Sequence, residues 1–241
     1  MEDKSRFSVS VVIPAYNEEL YIQKTVLWLE KELKNICNDF EIIIVNDAST
    51  DNTADIIRNL QKTRPYVRLM THEKNVGLGG SLRLGFASAR KEVVFYSDAD
   101  LPFDFFELKR ALRIMDIKDA DMILGFRLDR TDEGVVRIVY SLAYNILLRI
   151  FFGISVKDIN FSFKLVKKNI LDQMKLQSDG SFIDAEMIIK AHRMGVFFCQ
   201  MGIDYLKRKY GQSTLSSPKV ILKIFRELCK QYPSLVSFTV K

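Results

Sequence analysis

Val93-Val94-Phe95-Tyr96-Ser97-Asp98-Ala99-Asp100 is the stretch on which the fold turns. Four apolar or aromatic residues run straight into two carboxylates one residue apart. A short, continuously apolar run predicts a strand buried on both faces, as in a parallel sheet. Asp98 and Asp100 then stand at its C-terminal end, where open α/β sheets bind their ligands. Two carboxylates there offer hard oxygen ligands suited to Mg²⁺ or Mn²⁺, and such a site commonly shares its cation with a diphosphate. The plainer reading of the same pair is solvated carboxylates or a cap for the next helix.

The neighbouring sequence repeats the pattern. Strands are predicted over 9–14, 40–45, 67–71, 93–97 and 121–124. Helical periodicity falls between and after them, over 18–36, 52–62, 79–90 and 104–115. Strand–helix alternation with near-continuous apolar strands implies an α/β fold: a mostly parallel central sheet with helices on both faces. No linker, low-complexity run or internal repeat interrupts it. With 241 residues, one large domain over 1–215 is expected, followed by a helix and tail over 216–241.

Composition narrows the function. The formal charge of +6 suggests an anionic partner. No recognition helix, zinc spacing or RNA-binding aromatic signature points to nucleic acid. Cys37, Cys199 and Cys229 are scattered and odd in number, which favours a reducing compartment. The charged start, Met1 to Arg6, does not read as a signal peptide.

After Arg127 the pattern changes. Ile138 to Val156 is apolar apart from Ser141, Asn145, Arg149 and Ser155. Three readings stand: a helix at a membrane surface or under a lipid, a core helix, or a span, the last opposed by Arg149. Pro218 to Lys230 carries Lys219, Lys223, Arg226 and Lys230 along one helical stripe, with Val220, Ile221, Ile224, Phe225 and Leu228 opposite. It reads as a basic amphipathic helix ended by Pro233, suited to an anionic surface or simply a solvated face.

Loops after the strands hold the remaining candidates. In Pro14-Ala15-Tyr16-Asn17-Glu18, Asn17 can cap the next helix and Glu18 suits its first turn. In Asn46-Asp47-Ala48-Ser49-Thr50-Asp51-Asn52-Thr53, Asp47 can accept from the imide of uracil or the edge of guanine, and Asp51 reads as a cap. Lys74-Asn75-Val76-Gly77-Leu78-Gly79-Gly80-Ser81 matches neither a Walker motif nor a dinucleotide fingerprint. It is expected to be a tight turn that lets backbone approach a ligand.

As an ordered set, each after a predicted strand, these motifs resemble the family 2 glycosyltransferases of the nucleotide-diphospho-sugar (GT-A) fold, over about residues 8–215. The second half refines this. Gly125-Phe126-Arg127, Arg137, Lys157-Asp158-Ile159-Asn160-Phe161-Ser162-Phe163-Lys164, Ser181-Phe182-Ile183-Asp184-Ala185-Glu186 and Arg208-Lys209-Tyr210-Gly211-Gln212-Ser213 resemble the polyprenyl-phosphate hexosyltransferases, the group holding dolichyl-phosphate mannose and glucose synthases. The resemblance implies transfer of one hexose from GDP-mannose or UDP-glucose to a polyprenyl phosphate. It implies that Pro14, Tyr16, Glu18, Asp47 and Asp98 hold the nucleotide sugar. Asp98 and Asp100 would hold Mg²⁺ or Mn²⁺. Arg127, Arg137 and Arg208 would clamp the phosphates, a task suited to the bidentate guanidinium. Asp158, Asp184 and Glu186 would serve sugar hydroxyls or act as base. Their own residues equally allow capping, or ion pairing with Lys157 and Lys190.

Two departures leave the sugar open. Mannose synthases of the group often continue Asp-Ala-Asp-Leu with Gln-His, where here stand Pro102 and Phe103. Glucose synthases often carry Thr-Gln-Cys-Gly where here Ile159 to Ser162 follow Asp158. The expected location is peripheral, on the cytoplasmic face of a membrane, with a membrane subunit as a possible partner. A soluble or polysaccharide acceptor is the alternative within the enzymes. A non-catalytic nucleotide-sugar binder or membrane scaffold is the alternative outside them.

Overall fold

The computed structural model describes residues 4–101, 103–104, 106–129, 135–204 and 218–238, with the side chains of 135–140 and 218–225 outside the description. In chain order the elements are β1 (Val9–Ala15), α1 (Ile22–Ile36), β2 (Phe40–Asn46), α2 (Thr53–Gln61), β3 (Val67–Thr71), α3 (Leu78–Ser88), β4 (Val93–Tyr96) and α4 (Phe106–Lys118). The second half adds β5 (Met122–Arg127), α5 (Val135–Phe152), β6 (Lys164–Lys167), α6 (Lys168–Met174), α7 (Ile183–Arg193), β7 (Phe198–Ile203) and α8 (Pro218–Val236).

The strands form one sheet in the order β3-β2-β1-β4-β6-β5-β7. β1 pairs in parallel with β2 and β4, β2 with β3, and β5 with β7. β6 is antiparallel to both β4 and β5. The mostly parallel sheet expected from the sequence is therefore present, with one reversed strand inside it. That reversal positions the site: the loop entering β6, residues 158–163, arrives at the edge where the other six strands end.

Alternation of side chains splits the core into two layers. Val9, Val11, Ile13, Ile42, Ile44 and Phe95 face α1, α2 and α4. Val12, Ile43, Val45, Val94 and Tyr96 face α3, α5, α7 and α8. Each fully buried aliphatic residue contributes roughly 1.5–3 kcal/mol, so both layers anchor the strands whose ends carry the loops.

Several boundaries correct the sequence reading. α1 begins at Ile22, not Glu18, because the amides of Tyr21 and Ile22 both turn back onto the Glu18 carbonyl. β6 and β7 were not foreseen. β6 is four residues long and bounded by lysines, and Lys164 is buried only because Asp184 neutralises it. β7 is an edge strand broken in pattern by Gln200 and Gly202. Pro233 does not end α8, which continues to Val236 with Leu235 fully buried. Leu228 and Leu235, two turns apart, seat α8 in the same core layer as α7.

Candidate active site

The first three loops at the C-terminal edge are tied to one another. Asn17 does not cap α1. Its side-chain oxygen accepts from the Thr50 amide at 2.8 Å, and its own amide donates to the Ser49 hydroxyl at 3.0 Å. The Glu18 amide donates to the Thr53 hydroxyl, and Asp51 accepts from the amides of Glu19 and Thr53. Pro14 is half-buried, Tyr16 is 48% exposed, and Glu18 is half-buried beside the Asp47 loop. Three non-glycine residues stand in the left-handed region on these loops: Asn17 and Ala48 at φ 56° and Leu101 at φ 44°. Such a conformation costs about 1–2 kcal/mol per residue, and strain of this kind gathers where a loop is shaped for a ligand.

The third of these, Leu101, closes the turn that presents Asp98 and Asp100. Both carboxylates are half-buried. The Ala99 carbonyl between them accepts from the Thr25 hydroxyl of α1. Ser162, from the loop before β6, donates to Asp98 Oδ2 at 2.7 Å. Beneath the turn Phe103 is 1% exposed, its ring 5.9 Å from Phe95 and 4.9 Å from Phe163 in edge contacts. The residue that departs from the mannose synthases is thus the plug that holds the turn down, while Pro102 lies outside the described residues. Asp98 and Asp100 fit a hard divalent cation in donor type and position. Among the described residues no cluster of three or more His, Cys, Asp or Glu side chains forms a protein-only cage. The donor set therefore suits a cation that takes its other ligands from a diphosphate.

Asp47 is 5% exposed, and its two oxygens accept the amides of Val76 and Gly77, each at 2.8 Å. It organises the glycine turn directly. That turn corrects a second expectation. The backbone that Gly77 and Gly79 admit is the chain's own: a Cβ on Gly77 would stand 2.7 Å from the Asp179 carbonyl oxygen, and one on Gly79 would overlap that of Ser178.

The second half supplies carboxylates of another kind. Arg127 and Asp158 meet fork to fork, Nε to Oδ2 at 2.7 Å and Nη2 to Oδ1 at 3.0 Å, and both are buried. Asp184 lies 2.6 Å from Lys164 Nζ, which also donates to the Phe161 carbonyl at 2.6 Å. Burial raises the Asp184 carboxyl above its ordinary range, against the pull of Lys164. Burial likewise drives the Tyr96 phenol far up, with Asp184 and Asp98 adding to it. Glu186 is fully buried against Lys190 at 2.6 Å. Asp184 and Glu186 are thus held in buried ion pairs with Lys164 and Lys190, the second of which the sequence reading leaves open as an alternative. Arg137 lies in α5 with its side chain outside the description, and Arg208 lies outside the described residues. Ser162 and Lys164 are site-forming residues that had been quoted without a role, since no spacing signals a contact made across the sheet.

α5 exposes Leu142 at 54%, Ile146 at 55%, Ile150 at 75% and Phe151 at 50%. Its inner face buries Leu148 and Phe152. Tyr232 of α8 packs on Phe151 and Phe152 at 5.7 and 5.6 Å. Arg226 and Lys230 are exposed on α8; Lys219 and Lys223 fall among the undescribed side chains. Among the described residues no helix is long and apolar enough to cross a membrane; the side chains of 135–140, at the start of α5, lie outside that description.

A mostly parallel sheet with one reversed strand, and a carboxylate turn at the end of its central β4, define the GT-A fold of nucleotide-sugar transferases. Solved structures agree on that fold. Mannosyl-3-phosphoglycerate synthase from Rubrobacter xylanophilus superposes with a TM-score of 0.75 at 13% identity, over 97% of this chain and 76% of that one. Glucosyl-3-phosphoglycerate synthase from Mycobacterium tuberculosis, solved with UDP, does so with a TM-score of 0.71 at 18% identity, over 95% and 81%. Residues 10–175 match the model of glycosyl transferase family 2, and the chain belongs to that family. It is 30% identical over 204 residues to glycosyltransferase AglD of Haloferax volcanii, covering 82% of this chain and 33% of that protein. It is 31% identical over 175 residues to dolichyl-phosphate beta-glucosyltransferase ALG5C of Trichomonas vaginalis, covering 67% and 52%. The chain thus spans between a third and about half the length of these two relatives.

Proposed function

We propose that this chain transfers one hexose from a UDP- or GDP-sugar to a polyprenyl phosphate at a membrane surface, with inversion at the anomeric carbon. The observation that carries the lipid acceptor is α5: Leu142, Ile146 and Ile150, exposed at intervals of one helical turn, form an apolar stripe on a chain that belongs to a sugar-transferring family. An exposed apolar stripe on α5 together with exposed Arg226 and Lys230 on α8 suits an anionic interface. The relative named as a dolichyl-phosphate glucosyltransferase supports the same acceptor class.

A phosphate monoester has a second pKa of about 6 and is already a nucleophile at neutral pH. One of its oxygens forms the bond to the anomeric carbon as the bond to the nucleotide diphosphate breaks and leaves with its electron pair. No general base is required, in keeping with the burial of Asp184 and Glu186. Asp98 and Asp100 would hold Mg²⁺ or Mn²⁺, which offsets the diphosphate charge when bound. The Tyr16 and Asp47 loops would seat the nucleotide. Arg127, held by Asp158, would serve the phosphates together with Arg137 and Arg208. The protein would work peripherally on the cytoplasmic side, with or without a membrane subunit.

The test is a donor and acceptor screen on purified protein with Mg²⁺ or Mn²⁺. UDP- and GDP-hexoses are offered with polyprenyl phosphate in anionic vesicles, and in parallel with water-soluble phosphate acids and sugars. Product on the lipid supports the reading, and faster transfer to a soluble acceptor overturns it. Ile146→Glu with Ile150→Glu should lower vesicle sedimentation and lipid turnover while leaving UDP or GDP binding in place.

A further inference from the structure

The glycine turn over Asp47 is held from the far half of the chain. The amides of Gly79 and Gly80 donate to the Asp179 carbonyl at 2.9 and 3.3 Å. Arg83 of α3 pairs with the Asp179 carboxylate. The segment carrying Asp179 is fixed in turn by Glu186, whose two oxygens accept the amides of Gln177 and Ser178, each at 2.8 Å. Lys190 neutralises that carboxylate at 2.6 Å and donates to the Lys175 carbonyl at 2.9 Å. Gln231 of α8 joins at the same point, donating to the Ser178 hydroxyl at 2.9 Å.

We propose that Glu186 is a positioning residue for nucleotide binding: it fixes Gln177 to Asp179, and that segment sets the Val76–Gly80 turn whose amides orient Asp47. This rests on the reading of the Asp47 loop as the nucleotide seat. The physical need is clear from the turn itself. Gly77 stands at φ 88°, and three glycines in four residues lose more backbone freedom on ordering than any others would. A turn ordered before the ligand arrives leaves that cost out of binding. Glu186 can do this because a buried carboxylate with a cation on one side and two amides on the other is charged, satisfied and stiff. Glycines at 77 and 79 are then required so that the strut can touch the turn backbone to backbone. The helix that carries the basic stripe is part of the same strut through Gln231.

The experiment pairs amide hydrogen exchange on the nucleotide-free protein with calorimetry using UDP and GDP, on Glu186→Gln, Gly79→Ala and Gln231→Ala. Exchange at Val76 to Gly80 should rise about tenfold in the first two, while the Ser97–Leu101 turn is unchanged, because local opening follows local contacts. The nucleotide Kd should rise about tenfold in the same two variants, with kcat at saturating donor within about twofold of wild type, since the loss is in preorganisation. Gln231→Ala should move both readouts in the same direction by less. Wild-type protein that binds neither UDP nor GDP would remove the nucleotide reading and this proposal together. Wild type that binds, with variants that bind equally well, overturns this proposal alone. Where Glu186→Gln fails to fold, Gly79→Ala and Gln231→Ala decide the matter. Faster exchange spread across the whole sheet, rather than confined to Val76–Gly80, also counts against it.

Discussion

The carboxylates of the two halves are held under different terms. In the first half, Asp47 accepts two backbone amides and Asp98 accepts a serine hydroxyl, so neutral donors are among the partners of both. In the second half, Asp158, Asp184 and Glu186 each carry a buried cation: Arg127, Lys164 and Lys190. Neutral donors leave a field able to hold a divalent cation. A buried ion pair spends its field internally and stiffens the backbone around it. On the proposed reading, the first set would serve a ligand and the second the architecture, though all of them occur in equally suggestive motifs.

The largest effect should come from breaking an architectural pair. Asp184→Asn leaves Lys164 buried without its counter-charge and should cost about 3–5 kcal/mol in urea unfolding. The double variant Lys164→Met with Asp184→Leu should stay near wild type. Full stability of the single variant with lost turnover would move Asp184 to the chemical group instead.

Asp100→Asn should do the reverse. Turnover should fall roughly 100-fold, about 3 kcal/mol of lost charge stabilisation, with little change in thermal unfolding of the metal-free protein. Wild-type rates in the presence of chelator would erase the distinction drawn for the first half.

Asp47→Ala sharpens the comparison from the neutral-donor side. It should weaken UDP or GDP binding by roughly 1.5–3 kcal/mol, the range for hydrogen bonds to a charged group. Unchanged calorimetric affinity for both nucleotides would leave Asp47 as a loop anchor only.

The smallest effect belongs to a surface pair far from the edge. The hydrogen bond from Lys34 is the main cause that holds Glu30 down at about 2 from 4.5, with Tyr66 and Arg64 adding. A depressed carboxyl stabilises the fold above its unfolded pKa, and that contribution is lost as pH falls from about 4.5 to 2. The thermal gap between wild type and Glu30→Gln should therefore close over that window, and its size at neutral pH should be under about 1 kcal/mol.

The legible part of the site was the part built by local rules. Asp98 and Asp100 follow a buried strand directly, and Asp47 follows another, so strand periodicity alone places them at one edge. Ser162 and Phe103 could not be read this way, because each acts through a partner brought close only by the sheet. For Glu186 the pairing with Lys190 stood as one reading among several for the same reason. Its motif is local, but Gln177, Ser178 and Lys190 surround it only once α7 packs against the turn before it. The link of α8 to the donor loops was equally hidden, since Gln231 reaches Ser178, whose neighbour Asp179 holds the glycine turn.

By itself the sequence determined the alternation of strands and helices, the two-layer core and the family, because hydrophobic periodicity and turn residues are properties of neighbours along the chain. The tertiary structure decided where β6 and β7 enter, which acids pair with a buried cation, and which glycines admit the chain's own backbone. Those outcomes depend on pairings between residues about 20 to 100 positions apart, such as Lys164 with Asp184 and Gly79 with Asp179. Burial makes an unpartnered charge or amide costly, so the partner that the fold supplies decides what each group does.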